Sequence, residues 1–350
     1  MEMLTIKKAA EIIKQGGLVA FPTETVYGLG ANAYDNEACQ KIFQTKGRPS
    51  NNPLIVHVLS IEEAQSLAHF NDDALKLSTL WPGPLSLVLP KKSQQLARCV
   101  TAGLNTIAIR IPAHPVAREL LKQSGAPIAA PSANKSGRLS PTTHGHVKDN
   151  FGDEVFVLED DKNIVANNHQ TKYGLESTII DLSTSIPTIL RFGFITPELI
   201  EQILGKKVEI ATKTSEIKAP GMMYLHYAPK TPLRINAEFL MEGEIGLGFG
   251  EASLRGLEEA AAISAGITPG VPGLPRPLRG LAMTLTPSLN LSPTADLAEA
   301  AANLFAFLHL LDDYAQKNGA TSIAVARVPN RGIGLAINDR LMRATGSLPS

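Results

Sequence analysis

The sequence predicts two α/β domains, a larger N-terminal one on a mixed sheet and a smaller C-terminal one, joined by a punctuated connector. Three observations carry this. At 350 residues the chain exceeds the size at which a single hydrophobic core usually keeps growing. Its first half alternates short apolar runs with segments of helical period. Between 206 and 231 that periodicity lapses, and residues 232–350 then resume it on a smaller scale.

The elements follow in order. Ile6, Ala9, Ala10 and Ile13 repeat at helical spacing, with Thr5 as N-cap and Gly16–Gly17 as the stop. LVAFP (18–22) is a strand closed by proline. Asn36 caps a helix that buries Ala38, Cys39, Ile42 and Phe43. LIVHVL (54–59), LSLVLP (85–90), TIAIRIP (106–112), PIAAP (127–131), VFVLE (155–159), STIIDL (177–182) and TILRF (188–192) read as further strands. Helices fall near 61–69, 72–80, 115–123 and 196–204, and a sheet of about seven strands ends near Gly205. The connector, 206–231, contains APGMMYLHYAPKTP, too aromatic for a plain Gly/Ser or Pro spacer. Beyond it lie a strand at EIGLGFG (244–250), a Pro/Gly loop at 266–280, a helix over 294–318 stopped by Gly319, a strand at SIAVARV (322–328) and a final helix at GLAINDRLMRAT.

Composition excludes several classes of function. The 33 basic and 33 acidic residues balance, and they balance again on either side of residue 205, at 19 against 20 and 14 against 13. Neither half has the basic excess with which a protein neutralises nucleic-acid phosphates. Two cysteines, Cys39 and Cys99, support neither a disulfide framework nor a cysteine zinc site. Charges interrupt the first 17 residues, so they read as an amphipathic helix rather than a secretory signal, and no run reaches membrane-spanning length. The expected location is the cytoplasm.

Four segments carry candidate chemistry. KGRPSNNPLIVH (46–57) places Lys46 and Arg48 in one tight loop, where both can face the same oligophosphate; a solvated charged loop is the competing reading. His57 shares a strand face with Ile55 and Leu59, as a core or rim histidine also would. APSANKSGRLSPT (130–142) follows a strand with small and hydroxyl residues suited to cradling phosphate, Ser132, Asn134, Ser136 and Ser140 among them, although polar loops of this kind are common. Period-two alternation puts Thr106, Ala108 and Arg110 on one face of TIAIRIP, so Arg110 stands either as a carboxylate clamp or in a structural salt bridge. PTETVYGLG (22–30) is a substrate loop or a tight connection. Other signals fail: His144 and His146 lack the partners of a metal site, and Gly246, Gly248 and Gly250 do not complete G-x-G-x-x-G.

In this order, PTETVYGLGANA, KGRPSNNPLIVH, WPGPLSLVL, TAGLNTIAIRIPAHP, PIAAPSANKSG, GLESTIID and PGMMYLHYAP resemble the YrdC-like family, in the long two-domain form of the threonylcarbamoyl-AMP synthases. The family's K-x-R and S-x-N signatures stand here as Lys46-x-Arg48 and Ser132-x-Asn134. The resemblance implies a twisted mixed sheet with a concave active site and a Rossmann-like C-terminal domain. It implies that L-threonine, bicarbonate or CO2, and ATP with Mg2+ give threonylcarbamoyl-AMP and pyrophosphate. The product would pass to threonylcarbamoyl-transferase machinery acting on tRNA, with little direct nucleic-acid binding. Lys46 and Arg48 would be catalytic and bind ATP together with Asn52, Thr106, Ser132, Asn134, Ser140, Arg191 and Tyr224. Thr23, His57, Arg110, Ala130 and Ser177 would bind threonine, and Tyr224, His226 and Tyr227 would form a lid. No metal ligand from protein side chains is implied, and no tightly bound cofactor. On these terms the chain divides into a catalytic domain (1–205), a lid connector (206–231) and a C-terminal domain (232–350).

Related chains read L-R-P-G where this one has Leu190-Arg191-Phe192-Gly193, which puts the turn after Arg191 in question. Two other readings compete. A non-catalytic RNA-binding module conflicts with the balanced charge, and the carbamoyl-transfer protein of hydrogenase maturation needs cysteine-rich zinc modules absent here.

Overall fold

The computed structural model describes residues 2–159, 173–212, 226–251 and 288–346. They fall into two compact units. The first holds 2–136, 140–159 and 173–212, and the second holds 137–139, 226–251 and 288–346.

Ten strands form one sheet in the first unit: β1 (Val19–Phe21), β2 (Gly28–Asn32), β3 (Ile55–His57), β4 (Leu85–Pro90), β5 (Thr106–Arg110), β6 (Ile128–Ala129), β7 (Phe156–Val157), β8 (Thr178–Asp181), β9 (Thr188–Arg191) and β10 (Glu209–Ile210). Their spatial order is β10-β9-β8-β4-β5-β3-β6-β2-β1-β7. The sheet is mixed, as expected: β3 runs parallel to β5 and β4 to β8, while β4 and β5 are antiparallel. Two strands escape the sequence reading. GLGAN has no β-branched residue, so its propensity is poor, and pairing with β1 and β6 imposes the strand. A Cβ at Gly30 would lie 2.7 Å from both Ile128 Cγ2 and the Phe21 ring, so the close packing there requires glycine. β10 falls inside the connector assigned from sequence and pairs with β9, carrying the first unit past Gly205.

Helices sit where apolar periodicity put them, with small shifts at their ends. α1 (Glu2–Lys14) starts before Thr5, which is therefore not its cap. Asp35, rather than Asn36, caps α2 (Asn36–Lys46) by accepting from the N–H groups of Glu37 and Ala38. α3 (Ile61–Leu67), α4 (Asp72–Leu77), α5 (Pro115–Ser124) and α7 (Pro197–Leu204) match expectation, and α6 (His144–Phe151) has no counterpart among the expected helices. Leu54, Val56, Val58, Leu87, Leu89, Ile107, Ile109, Ile111 and Ile180 fill the main core. The opposite sheet face carries Ile55, Val88, Ala108, Ile179 and Leu190 in a smaller cluster. Alternation therefore delivers His57, Ser86, Thr106, Arg110 and Ser177 to that second face.

In the second unit β11 (Leu233–Ala237), β12 (Glu244–Gly248), β13 (Ser288–Asn290) and β14 (Ser322–Ala326) make an all-parallel sheet in the order β11-β14-β12-β13. α8 (Leu297–Asn318) and α9 (Gly334–Ala344) accompany it, which agrees with a small Rossmann-like domain. The 266–280 loop lies outside the described residues. Buried Glu244 accepts from Arg234 Nε at 2.8 Å and from Ser322 Oγ at 2.7 Å. The Arg234 hydrogen bond leads the influences that take its pKa from the ordinary 4.5 down to about 2. A depressed carboxylate stabilises the fold above its unfolded pKa and loses that contribution as pH falls through the folded one. This unit should therefore lose roughly 3 kcal/mol between about pH 4.5 and pH 2. Acid titration of unfolding would show it, and Glu244→Gln should flatten that limb.

Candidate active site

The S-x-N loop is fastened to the K-x-R loop by Lys46 itself. Lys46 ends α2, is 2% exposed, and donates from Nζ to the carbonyls of Ser132 (2.6 Å) and Asn134. Ser136 N–H returns a bond to Lys46 O at 2.8 Å. Gly47, at φ 61°, turns the chain so that Arg48 Nη2 reaches the carbonyls of Asn52 (3.2 Å) and Pro53 (3.0 Å). Lys135 adds a third cation, donating to Thr45 O at 2.7 Å. Burial, then the charges of Arg48 and Lys135, push the Lys46 pKa well below its ordinary value, with Glu176 opposing. Two buried cations and a half-buried third, with one acid nearby, suit an anion.

Glu176 accepts from Ser140 Oγ. The adjacent Ser177 is fully buried; its carbonyl accepts from Arg191 Nε (3.1 Å) and Nη2 (2.9 Å), and its hydroxyl accepts from Arg191 Nη2 (3.1 Å) and bonds Ser86 Oγ (2.8 Å). Simple alternation along β9 would turn Arg191 into the main core with Ile189. A bulge between the Ile180–Ile189 and Ile179–Arg191 pairs inserts Leu190 and returns Arg191 to the site face. Phe192 packs against the main core, so the departure from L-R-P-G is accommodated. Gly193 is fixed by crowding: a Cβ there would lie 2.7 Å from Glu176 O and 2.8 Å from Ser177 C. Gly193→Ala should destabilise the first unit by about 1–3 kcal/mol and displace the 176–178 segment, which a thermal shift would register.

Arg110 realises the salt bridge left open by the sequence. Its Nη2 donates to Glu24 Oε1 at 2.6 Å, with both side chains 4% exposed. Nη1 donates to Thr25 Oγ1 (3.0 Å) and Nε to Gly83 O (3.2 Å), leaving two of its five N–H groups outside these bonds. Thr23 Oγ1 bonds Thr25 Oγ1 and Val26 O, each at 2.7 Å, so PTET is a tight turn that also faces Arg110. His57 lies beside Arg110 in the β3–β5 register; burial first, then the Arg110 charge, push its pKa down to about 3, so the ring is neutral. Ala130 N–H donates to Ile55 O, and Thr106 opens β5, half-buried.

The described residues hold no group of three or more His, Cys, Asp or Glu able to bind a metal. His146 Nδ1 instead lies 3.3 Å from Thr142 N–H. No helix among the described residues is long and apolar enough to cross a membrane.

A family model for Sua5, YciO and YrdC proteins, described as telomere recombination, matches residues 11–193. A second, for the C-terminal domain of threonylcarbamoyl-AMP synthase, matches 195–346. The threonylcarbamoyl-AMP synthase of Pyrococcus abyssi is 39% identical, over 99% of this chain and 95% of its own length. The chain belongs to the threonylcarbamoyl-AMP synthase family. The Bacillus subtilis synthase is 37% identical over 97% of this chain and 93% of its own. Sua5 of P. abyssi, solved with L-threonine, superposes with a TM-score of 0.79 at 36% identity, covering 99% and 95% of the two chains.

Of the residues the synthase resemblance nominates, the first unit contains Thr23, Lys46, Arg48, Asn52, His57, Thr106, Arg110, Ala130, Ser132, Asn134, Ser140, Ser177 and Arg191. Tyr224 lies outside the described residues. His226 and Tyr227 belong to the second unit. Tyr227, 1% exposed and at φ 67°, packs its ring 5.6 Å from Phe305 and 5.1 Å from the Arg340 guanidinium. It is interior structure of that unit rather than a loose lid residue. Glu24, Ser86, Lys135 and Glu176 were missed. Glu24 stands inside PTET and Glu176 inside GLES, but nothing in either segment ties it to a distant arginine or serine.

Proposed function

We propose that this chain catalyses formation of L-threonylcarbamoyl-AMP from L-threonine, bicarbonate or CO2, and ATP, releasing pyrophosphate, as a nucleotidyltransferase. The carrying observation is the pairing, in one unit, of a cation cluster, buried Lys46 and Arg48 with half-buried Lys135, with a buried acid–base pair at Glu24 and Arg110. The first suits an oligophosphate and the second an α-amino acid. ATP enters as its Mg2+ complex, the ion arriving as part of the substrate.

Threonine carbamate attacks the α-phosphorus through oxygen while pyrophosphate leaves. Such a step rests on alignment and neutralisation of charge more than on a strong base at phosphorus. Lys46 and Arg48 neutralise the phosphates, with Asn52, Thr106, Ser132, Asn134, Ser140 and Arg191 completing the nucleotide site. Arg110 takes the threonine carboxylate on its remaining N–H groups, and Thr23, His57, Ala130 and Ser177 shape the pocket. Tyr224 and His226 serve as the lid, with Tyr227 as its anchor. The product goes in the cytoplasm to a threonylcarbamoyl-transferase acting on tRNA. A non-catalytic RNA-binding role has no support in the charge balance or in relatives named as synthases.

The test is pyrophosphate release with ATP, bicarbonate and each amino acid in turn; release independent of threonine or bicarbonate refutes the reading. Truncation after Thr212, which spares β10, should impair turnover with the first unit still folded. Full activity in that fragment would make the connector passive.

A further inference from the structure

The reaction begins with a proton that must go somewhere. Threonine arrives as an ammonium, which has no lone pair, so carbamate formation requires a base beside the amine. Three charged or titratable side chains meet at the amino-acid end of the site: Arg110, His57 and Glu24. Arginine stays protonated, and of the other two it is Glu24 that bonds Arg110, the group assigned to the amino acid's carboxylate. Glu24 is 4% exposed; Arg110 occupies its Oε1, and its Oε2 is buried without closing a hydrogen bond among the described residues. Two N–H groups of Arg110 and the Oε2 of Glu24 carry charges opposite to the two ends of an α-amino acid.

Resting on the synthase reading above, we propose that Glu24 is the general base that takes the proton from the threonine ammonium. The N–H electron pair becomes the nitrogen lone pair, and the proton goes to Glu24 Oε2. The neutral amine attacks the carbon of bicarbonate, a C–N bond forms, and the C–OH bond breaks. The departing hydroxide takes a second amine proton and leaves as water, giving the carbamate anion. Glu24 returns its proton to solvent before the next turnover.

The surroundings make this base responsive to substrate. Burial is the largest influence on Glu24 and raises its pKa, but the Arg110 charge and hydrogen bond, with the backbone N–H groups of Glu24 and Ala113, outweigh it and hold the carboxylate ionised. A substrate carboxylate on Arg110 offsets the guanidinium charge, leaving burial to raise the proton affinity of Glu24. The site thus waits in its proton-accepting form and becomes more basic as the amino acid binds.

The test uses the full-length chain with ATP and bicarbonate saturating, threonine varied, between about pH 7 and 9. Glu24→Gln keeps an acceptor for Arg110 but loses basicity. The wild type should give a nearly level kcat/KM for threonine. The variant should fall at least about 100-fold at the lower pH and climb about tenfold per pH unit as free amine accumulates, with the KM for ATP unchanged. A wild-type rate, or a reduced rate that does not climb, overturns the proposal. Should the Gln variant not fold by circular dichroism, Glu24→Asp decides: a reduced rate with a level profile is expected, and a wild-type rate or a climbing profile overturns it. If the unmutated chain shows no release dependent on threonine and bicarbonate, the synthase reading itself has failed, and that result is seen without any variant.

Discussion

Lys46→Ala is expected to reduce threonine-dependent pyrophosphate release about a thousandfold, the scale of removing one preorganised charge-stabilising group. Two losses combine in this one change. The phosphates lose a buried cation, and the carbonyls of Ser132 and Asn134 lose the donor that joins the S-x-N loop to α2. Leaving buried acceptors unmade costs about 1–3 kcal/mol each, so nucleotide affinity and local order should fall together. Lys46→Arg should not rescue, because a side chain 2% exposed leaves no room for a longer, forked one. Steady-state rates with saturating ATP, together with nucleotide binding by calorimetry, measure both effects. A rate within tenfold of wild type would move the phosphate site elsewhere. Arg48→Ala should behave similarly, through loss of its bonds to Asn52 and Pro53 as well as its charge.

Arg110→Ala should abolish threonine-dependent turnover and destabilise the first unit by about 3–5 kcal/mol, because it strands Glu24 as an uncompensated buried carboxylate. Without Arg110, burial dominates and lifts the Glu24 pKa above its unfolded value. A group raised in the folded state stabilises below the unfolded pKa and loses that contribution as pH rises, so the deficit of this variant should shrink on acidification. The double change Arg110→Ala with Glu24→Gln removes both charges and should recover most of the stability but none of the activity. Denaturant midpoints for the two singles and the double close the cycle. If the double variant is as unstable as Arg110→Ala, the ion pair is not the source of the cost.

Much of the first unit is legible along the chain because its signals are local. Apolar runs gave β1 and β3 to β9, and periodicity gave α1 to α5 and α7, with errors mainly at caps, where one residue's backbone angle decides. Alternation along TIAIRIP placed Arg110 on the face opposite Ile107, Ile109 and Ile111, and the structure keeps it there. β2 and β10 were not legible, since their residues adopt strands only through neighbours distant in sequence.

The site divides in the same way. Sequence by itself determined the catalytic family, through K-x-R, S-x-N and the blocks around them, and determined that Lys46 and Arg48 share a turn. Only the tertiary structure decided what Arg110 holds, that a bulge at Leu190 re-aims Arg191, and that Tyr227 is buried among Phe305 and Arg340. It also brought Glu24 to Arg110, 86 residues away, and Glu176 to Ser140, 36 away. The reason is physical. Period and turn chemistry are set by adjacent residues, whereas the partner of a buried charge is set by which strands the sheet places side by side.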